Sequence, residues 1–461
     1  MRHVLTIDFG STYTKVAAID LDNHELLGTA SAYTTIETSI EEGLGQALSQ
    51  LQLKTGALDY HLTLACSSAA GGLRMIASGL VPSLTATAAK MACYGAGAKV
   101  VKSYAYQLND EDLAEIEALD PDIFLLAGGT DGGNQATILH NAGVLARSKQ
   151  DFPILLAGNR NAAQACQELL KEKEVYRCSN VMPAFGKVDV APVQEKIREL
   201  FLEQIIQAKG LEQAASKLDL PLIPTPAAVL LGMELLARGT EKATGIGELL
   251  GIDVGGATTD IYSMSAGMPK QDNVIFKGVP EPFAKRTVEG DIGMRYSANG
   301  IAAALTEKGL ADLSGLPLEE VQALMERIAQ EPEFLPGSEK EAAFDEALAA
   351  GAVKVAVERH AGTMEEVYTP MGISYGQTGK DLRAIQNLVL TGGSLIANPS
   401  RKIVQQAFAD PARPQVLKPI TAKVYVDKRY ILAAMGLLSQ VEPDIALEIM
   451  KKELIGDGFT K

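Results

Sequence analysis

The stretch "LTIDFGSTYTKVAAID", Leu5 to Asp20, decides how this chain is built. An apolar run ends in Asp8, and a glycine followed by small hydroxyl residues comes directly after it. The same arrangement returns in "LLGIDVGGATTDIYSM", Leu249 to Met264, where Asp253 takes the place of Asp8. The chain therefore repeats one local device in its two halves.

Composition bounds the class of protein. The chain has 461 residues, 47% of them hydrophobic, which is enough for at least two domains with full cores. A net charge of -15 disfavours non-specific attraction to nucleic acid or anionic membranes. No secretion signal is recognisable, and no apolar run approaches the length of a membrane span. We therefore expect a cytoplasmic protein whose partners are small molecules or other proteins.

The cysteines and histidines do not follow a metal-binding pattern. None of the cysteines forms a C-x-x-C pair, and none of the histidines forms an H-x-x-x-H pattern. We interpret the cysteines as reduced, and we expect no structural zinc. The cysteines are Cys66, Cys93, Cys166 and Cys178.

The distribution of β-prone and helix-prone segments predicts an α/β protein. Short β-prone runs between residues 4 and 32, separated by turn-forming residues, predict a three-stranded antiparallel start. Residues 99–178 alternate between strand-like and helix-like segments, which is typical of a parallel sheet covered by helices. The stretch "AGGTDGGN" within them is interpreted as a strand-end turn without a ligand, with a phosphate or amide site as the alternative.

The repeated device has the residue types that hold a phosphate group and its metal. Glycines let backbone N–H groups approach a phosphate closely, and small hydroxyls add donors without bulk. An aspartate repels a phosphate, but it can hold the waters of a bridging Mg²⁺ ion. We therefore predict that Asp8 and Asp253 position a metal ion. Each glycine pair alone is more often a tight turn, and only the order of the motifs favours a ligand site.

That order resembles the ASKHA superfamily of actin, sugar kinases and DnaK-type chaperones. The motifs follow one another along the chain in a fixed order. They are a strand with an acid and a glycine, a helix after proline, a second such strand, a Gly-Gly pair and a small-residue helix. The resemblance implies a two-lobed, actin-like ATPase fold of the ribonuclease H-like type, with ATP and Mg²⁺ as ligands and an additional βα segment in the first lobe. The corresponding ranges are 7–16, 225–239, 251–261, 388–396 and 430–440.

The resemblance also implies site residues and lobes. Asp8, Asp253 and Asp260 become the catalytic candidates, and the lobes are 1–249 with the βα segment at about 99–180, then 250–429, then a returning helix in 430–461. The ligand-binding candidates are Gly10, Ser11, Thr12, Lys15, Gly255, Gly256, Thr258, Thr259, Gly392, Gly393 and Ser394.

Two features leave alternatives open. DnaK-type members carry an acid before the proline of the first connecting helix, whereas this chain has Thr225, so we expect slow hydrolysis of ATP. The stretch "VEGDIGMRYSANG" resembles the turn that enters the first helix of the second lobe. A ligand role and a purely structural role are equally open for its charged residues and the preceding arginine, which are Arg286, Glu289, Asp291 and Arg295.

Within the superfamily, the chain resembles the GlmL or MutL family, the component L associated with glutamate mutase. The resembling blocks include "ACSSAAGGLRM", "FLLAGGTDGGN", "ILLAGN" and "KRTVEGDIGMRYSANG". The resemblance implies an ATP-dependent reactivating factor that acts on the subunits of an adenosylcobalamin-dependent mutase or aminomutase. Because no D-x-H-x-x-G pattern is present, we do not expect the chain itself to ligate cobalamin.

Two other functions share this fold, and a homo-oligomer is possible in each case. A small-molecule kinase would use the same phosphate loops, but it needs a general base for its substrate, and none stands out in the sequence. A non-catalytic actin-like assembly protein would bind nucleotide and form filaments.

Overall fold

The computed structural model of the chain describes residues 2–10, 13–34, 40–68, 73–209, 211, 215–370 and 372–456. The chain folds into two compact units, Met1–Val229 with Gly278–Pro280, and Leu230–Lys277 with Glu281–Lys461. The boundaries of the predicted lobes, at residues 249 and 429, stay a prediction.

The first unit begins with strands and continues as alternating strands and helices. Its strands are β1 His3–Phe9, β2 Tyr13–Asp20, β3 Glu25–Tyr33, β4 Tyr60–Ser67, β5 Arg74–Gly79, β6 Lys99–Ala105, β7 Ile123–Leu126, β8 Ile154–Leu156, β9 Val175–Arg177 and β10 Ile223–Pro224. Its helices are α1 Ile40–Thr55, α2 Thr87–Gly95, α3 Asp110–Leu119, α4 Ala136–Leu145, α5 Ala163–Leu169 and α6 Ala191–Lys209. A π-helical turn, Pro82–Ala86, leads into α2.

The first sheet has the order β10-β4-β1-β2-β3. Strands β1, β2 and β3 run antiparallel in succession, as the sequence predicts, whereas β4 and β10 are parallel to β1. The β2–β3 turn is stabilised by Asp20, whose carboxylate accepts the N–H groups of Asp22 and Asn23 at 2.8 and 3.1 Å. This sheet carries Asp8 near the carboxyl end of its central strand.

A second sheet in the first unit is entirely parallel, with the order β6-β5-β7-β8-β9. The prediction of a parallel βα segment is confirmed, and the sheet also includes β5, which precedes the predicted segment. Helices α3, α4 and α5 supply apolar residues to a core with one face of this sheet. A later segment of the chain, Gly278–Pro280, also belongs to the first unit, and its Val279 is buried in the core of that unit.

Helix α7, Thr225–Arg238, begins in the first unit and ends in the second. The strands that follow are β11 Leu249–Val254, β12 Thr259–Met264, β13 Val274–Lys277, β14 Ala284–Glu289, β15 Thr363–Thr369, β16 Gly372–Thr378, β17 Asn387–Thr391, β18 Lys423–Val426 and β19 Ile455–Gly456. The helices are α8 Ala298–Leu305, α9 Glu307–Ser314, α10 Leu318–Gln330, α11 Glu339–His360, α12 Gly393–Ala397, α13 Arg401–Gln406, α14 Leu432–Leu438 and α15 Pro443–Glu453.

The main sheet of the second unit repeats the first sheet. Its order is β14-β12-β11-β17-β18-β19, with β11, β12 and β14 antiparallel in succession and β17 and β18 parallel. Strands β11, β12, β14, β17 and β18 therefore correspond to β1, β2, β3, β4 and β10. This repetition confirms the predicted α/β class of the ASKHA type, with the additional βα segment in the first unit.

The remaining elements of the second unit build its core and a small separate sheet. The buried part of α11 packs with α8 and α10 against the main sheet, in an alanine- and valine-rich core. Strands β13, β16 and β15 form the three-stranded sheet. Within the described part of the chain, no helix is both long enough and apolar enough to cross a membrane.

Candidate functional site

Asp8 lies at the centre of a cluster of side chains in the first unit. Its side chain is mostly buried, and its Oδ1 atom accepts a hydrogen bond of 2.6 Å from Thr225 Oγ1. The Cys66 thiol donates to the same oxygen at 3.5 Å. Lys15 Nζ lies 3.8 Å from the other oxygen, Oδ2. The two carboxylate oxygens therefore have different surroundings.

Strand register explains why these residues meet. The antiparallel pairing of β1 with β2 places Lys15 opposite Asp8, and the parallel pairing of β1 with β4 places Cys66 on its other side. Strand β10 pairs with the end of β4, so that the next residue, Thr225, starts α7 beside Asp8. Of these neighbours, the sequence singles out Lys15 and Thr225 but not Cys66, because nothing local links residues 8 and 66.

Cys66 stays a thiol. Burial raises its pKa well above the ordinary value, and the nearby Asp8 carboxylate raises it further. Because the proton is retained, the sulfur donates to Asp8 rather than competing with it for a cation. The cysteine is structural, which agrees with the prediction that the cysteines are reduced.

Gly10 closes the turn that follows β1. Its N–H donates to the Asp8 carbonyl at 3.0 Å, and a Cβ at this position would lie 2.4 Å from the carbonyl oxygen of Tyr13. Only glycine fits that approach. The predicted phosphate-binding residues Ser11 and Thr12 lie outside the described residues.

Asp253 occupies the equivalent position in the second unit. It is opposite Asp260 on β12 and Thr391 on β17, as Asp8 is opposite Lys15 and Cys66. The partner on the second strand is therefore a cation in the first copy and an anion in the second.

Gly392 packs directly against Asp253. Its φ of +92° lies in the left-handed region, and a Cβ there would stand 2.7 Å from Asp253 Oδ1 and 2.4 Å from the Val254 carbonyl oxygen. The next residues, Gly393 and Ser394, form the first turn of α12. Gly392 of the predicted nucleoside motif thus lies beside the acid of the second phosphate motif.

The glycine loop after β11 is supported from behind by the segment that enters α8. Gly255 and Gly256 accept backbone hydrogen bonds from Met294 and Arg295 at 3.0 and 2.8 Å, which aligns the two segments. A Cβ on Gly293 would lie 2.4 Å from the Ala257 carbonyl carbon. This segment therefore holds the loop in place.

The charged residues of that segment have protein partners. Arg295 forms an ion pair with Asp345 at 2.7 Å and donates to the Phe334 carbonyl. Glu289 and Asp291 both pair with Arg359, at 2.7 and 2.9 Å. These contacts favour the structural role that the sequence left open.

Asp260 forms a buried ion pair with Arg286. The two Arg286 nitrogens Nε and Nη2 lie 2.7 and 2.5 Å from Asp260 Oδ1. Burial acts to lower the pKa of Arg286, but the charges and hydrogen bonds of Asp260 and Tyr262 together outweigh it and the pKa is raised. The Asp260 carboxylate is therefore engaged by Arg286, and removing one partner of such a buried pair costs about 3–5 kcal/mol. The catalytic role predicted for Asp260 stays untested, and the pairing favours a supporting role.

The two threonines of the second loop differ in their contacts. Thr259 is fully buried, and its hydroxyl donates to the Ile292 carbonyl at 3.0 Å. Thr258 is half-buried, with its Oγ1 atom 3.5 Å from Asp260 Oδ2. Of the two, Thr258 is better placed to contact a ligand.

Two residues that follow β18 were not predicted. A Cβ on Gly393 would lie 3.4 Å from the Tyr430 hydroxyl, and Tyr430 is 36% exposed with a positive φ of 53°. Asp427 accepts the N–H groups of Ile431, which directly precedes α14, and of Leu432, which begins it. The sequence "VDKRYILAA" contains a usable signal, an acid at a strand end shortly before a helix.

The turn "AGGTDGGN" after β7 is satisfied by its own neighbours. Asp131 accepts hydrogen bonds from the Arg160 N–H and the Asn180 side-chain amide at 3.0 and 2.9 Å. Asn159 donates to the carbonyl oxygens of Gly133 and Asn134. These contacts favour the predicted interpretation of a turn without a ligand.

The carboxylates of the two repeated motifs could bind Mg²⁺ only together with oxygen atoms supplied by a ligand. Over the described ranges, no group of three or more His, Cys, Asp or Glu side chains could enclose a metal ion. Mg²⁺ prefers oxygen ligands and is commonly bound by one or two carboxylates together with phosphate oxygens. Asp8 in the first unit and Asp253 in the second are each a carboxylate of the kind that a metal arriving with a nucleotide would use.

Three solved structures resemble the chain at low identity. A diol dehydratase-reactivating factor in nucleotide-free form is 13% identical, with a TM-score of 0.36, over 95% of this chain and 99% of that one. An activator of 2-hydroxyisocaproyl-CoA dehydratase from Clostridium difficile is 10% identical, with a TM-score of 0.32, over 99% of each. A gluconate kinase from Lactobacillus acidophilus is 12% identical, with a TM-score of 0.37, over 99% of this chain and 92% of that one. The fold class therefore rests on the order of strands in the two main sheets and not on these three structures.

Sequence relatives give the stronger result. Residues 4–454 match the family described as MutL protein. A curated relative from Clostridium tetanomorphum, described as Protein MutL, is 46% identical over 461 residues, which is 99% of this chain and 100% of the relative. Both matches extend over nearly the whole sequence, including both copies of the strand–acid–glycine device. The chain therefore belongs to the MutL protein family.

Proposed function

We propose that the protein is an ATP-dependent reactivating factor for an adenosylcobalamin-dependent mutase or aminomutase and acts in the cytoplasm. The observation that carries the ATP part is the repetition of one device at equivalent positions of two equivalent sheets. Asp8 and Asp253 have the same place in strand order and register, each followed by a glycine turn. A duplicated device of this kind suits a ligand with several phosphates.

The roles of the site residues follow from their chemistry. The turns at Gly10 and Gly255–Gly256 would hold phosphates with backbone N–H groups, with Lys15 neutralising charge. Asp8 and Asp253 would hold the water shell of Mg²⁺, which when bound neutralises the phosphate oxygens. The nucleoside would lie against the backbone at Gly392–Gly393.

The expected hydrolysis is slow. Thr225 stands where the superfamily resemblance leads us to expect an acid, and its hydroxyl donates a hydrogen bond to Asp8 instead of taking a proton from water. Asp260 is neutralised by Arg286. A slow ATPase suits a factor that must hold one nucleotide state long enough to act on a partner.

The client part of the proposal rests on family membership and on the resemblance to the component associated with glutamate mutase. A mutase that has lost its adenosyl group keeps a damaged cobalamin, and a factor whose conformation depends on nucleotide could open it for cofactor exchange. We also propose that the two lobes are bounded at residues 249 and 429, as the sequence predicts.

A binding and turnover experiment tests the ATP part. The parent protein and Asp253→Asn are compared for ATP binding by calorimetry and for phosphate release, each with and without Mg²⁺. Asp312→Asn, which removes an exposed carboxylate on α9, is the matched control. We expect Mg²⁺-dependent binding and slow release by the parent and the control, with both reduced in Asp253→Asn. Absence of ATP binding by the parent would refute the proposal.

A reactivation experiment tests the client part. Inactivated mutase holoenzyme is mixed with the protein and free adenosylcobalamin, with or without Mg-ATP, and recovered mutase activity and released cobalamin are measured. We expect recovery only with ATP. Phosphorylation of a metabolite or nucleotide-dependent sedimentation, without recovery of any mutase, would favour the kinase or the assembly protein instead.

A further inference from the structure

We propose that Thr225 is a positioning residue for Asp8, holding its carboxylate in one orientation so that Oδ2 is the oxygen presented to the nucleotide-bound metal ion. This inference rests on the proposed function, because it assigns a role within the same site. It replaces the role of proton acceptor, which the superfamily resemblance assigns to this position, with that of a hydrogen-bond donor.

The first argument is the geometry at Oδ1. The distance of 2.6 Å from Thr225 Oγ1 is that of a charge-assisted O–H to carboxylate hydrogen bond, which is roughly twice as strong as a neutral one. Cys66 donates to the same atom. Two donors on one oxygen prevent the carboxylate from rotating to exchange its oxygens.

The second argument concerns the surroundings of the other carboxylate oxygen of Asp8, Oδ2. Lys15 Nζ is 3.8 Å away from this oxygen and the lysine side chain is 35% exposed, so the lysine can turn toward a phosphate. When it does so, Oδ2 is the oxygen that can accept a hydrogen bond from a metal-bound water. Because only Oδ2 is open to that water, the water is held in one orientation. Residues that orient a metal ligand without touching the metal tune metal sites in this way.

The third argument is that Thr225 is itself held in place. Pro224 pairs with Ser67 in the sheet, and a Cβ on Gly97 would lie 2.9 Å from Pro224 Cβ, so the chain entering α7 is closely packed. The β-branched side chain of threonine has few rotamers, which keeps the hydroxyl directed at Asp8. A flexible donor would not fix the carboxylate in the same way.

The experiment measures metal affinity apart from turnover. Thr225→Val removes the donor at nearly constant volume, Thr225→Ser keeps it, and Thr378→Val is a control at an exposed strand position. Free and bound Mn²⁺ are measured by electron paramagnetic resonance with saturating ADP, and ADP affinity is measured separately in EDTA. Thr225→Ala serves in the same assay if Thr225→Val does not fold.

We expect Thr225→Val to weaken Mn²⁺ binding about tenfold to a hundredfold, the usual effect of losing an outer partner. Thr225→Ser should lose less Mn²⁺ affinity than Thr225→Val, because it keeps the donor but not the β-branch, and Thr378→Val should match the parent. ADP affinity in EDTA should be unchanged throughout. Parent-like Mn²⁺ binding by Thr225→Val would overturn this inference and leave the proposed function standing. Equal losses in the serine and valine variants would assign Thr225 to packing and also overturn it. Failure of the parent to bind ADP would refute the proposed function, and this inference with it.

Discussion

At the scale of single residues, the two aspartates of the repeated device have different neighbours. Asp8 is surrounded by donors, from Thr225, Cys66 and Lys15. Asp253 faces another acid, Asp260, whose charge is balanced by Arg286. The copies share a position but not a chemical environment, and we expect them to contribute unequally to a bound metal.

The first prediction concerns these carboxylates. Asp8→Asn and Asp253→Asn should each reduce Mg²⁺-dependent ATP hydrolysis at least about tenfold, because each removes a charge that would hold the metal. Circular dichroism should show an unchanged fold, since the amide keeps the shape of the carboxylate. Hydrolysis at the parent rate in either variant would show that the metal assignment of that residue is wrong.

The second prediction concerns Gly392. Gly392→Ala should weaken nucleotide binding, because its Cβ would displace the Val254 carbonyl and the Asp253 carboxylate. Gly315→Ala is a matched control, since Gly315 also has a positive φ, +71°, but has open space around its Cβ position. Gly315→Ala should cost about 1 kcal/mol of unfolding free energy for its backbone conformation, and Gly392→Ala should cost more, because its Cβ also meets backbone atoms. Only Gly392→Ala should change nucleotide affinity, measured by titration with a fluorescent ATP analogue.

At the scale of elements, local patterns predicted the strands and turns well. The antiparallel start, the parallel βα segment and the strand before Gly392 all follow from apolar runs that end at glycine or polar residues. The contacts of Asp8 could not be predicted in the same way, because Cys66 and Thr225 are brought to it by pairing between distant strands. The Asp260–Arg286 pair likewise depends on the pairing of β12 with β14.

The third prediction concerns β12, β14 and α11, which meet at His360. Its ring nitrogens lie 2.8 Å from Ser263 Oγ and 2.7 Å from Thr287 Oγ1, and burial holds its pKa well below the ordinary value. The folded ring stays neutral, whereas the unfolded chain takes up a proton near the ordinary pKa of about 6.5. The stability from this site is therefore complete above that pH and is lost as the pH falls toward the folded pKa, by up to about 1.4 kcal/mol per pH unit.

Urea unfolding at a series of pH values from neutral to mildly acidic tests this prediction. His360→Gln should reduce the loss of stability on acidification, whatever its effect at neutral pH. His61→Gln changes an exposed histidine on β4 and should keep the parent slope. An unchanged slope in His360→Gln would mean that His360 does not control the acid sensitivity of the second unit.

At the scale of the whole molecule, the chain does not divide at a single point between its two compact units. Helix α7 belongs to the first unit up to Val229 and to the second from Leu230 onward. The three residues Gly278–Pro280 return to the first unit, where Val279 is buried. Residues 1–249 therefore contribute to the second unit as well as the first, and residues 250–461 contribute to the first unit as well as the second.

The fourth prediction follows from this arrangement. Residues 1–249 and 250–461 produced separately should be insoluble or only partly folded, because the first lacks Val279 and leaves the buried Met233 without the rest of its unit. Produced together in one cell, with an affinity tag on one half, they should purify as a pair. A soluble single half that unfolds cooperatively would contradict this expectation.

The short return at Gly278–Pro280 also bears on how a duplicated protein can evolve. Once a segment of one copy completes the hydrophobic core of the other, the copies can no longer be inherited as independent genes, since each product would lack part of its interior. Recombination that exchanges whole halves between relatives would then have to preserve this short segment together with the core that receives it. We expect the apolar character at Val279 to vary together with the residues that surround it.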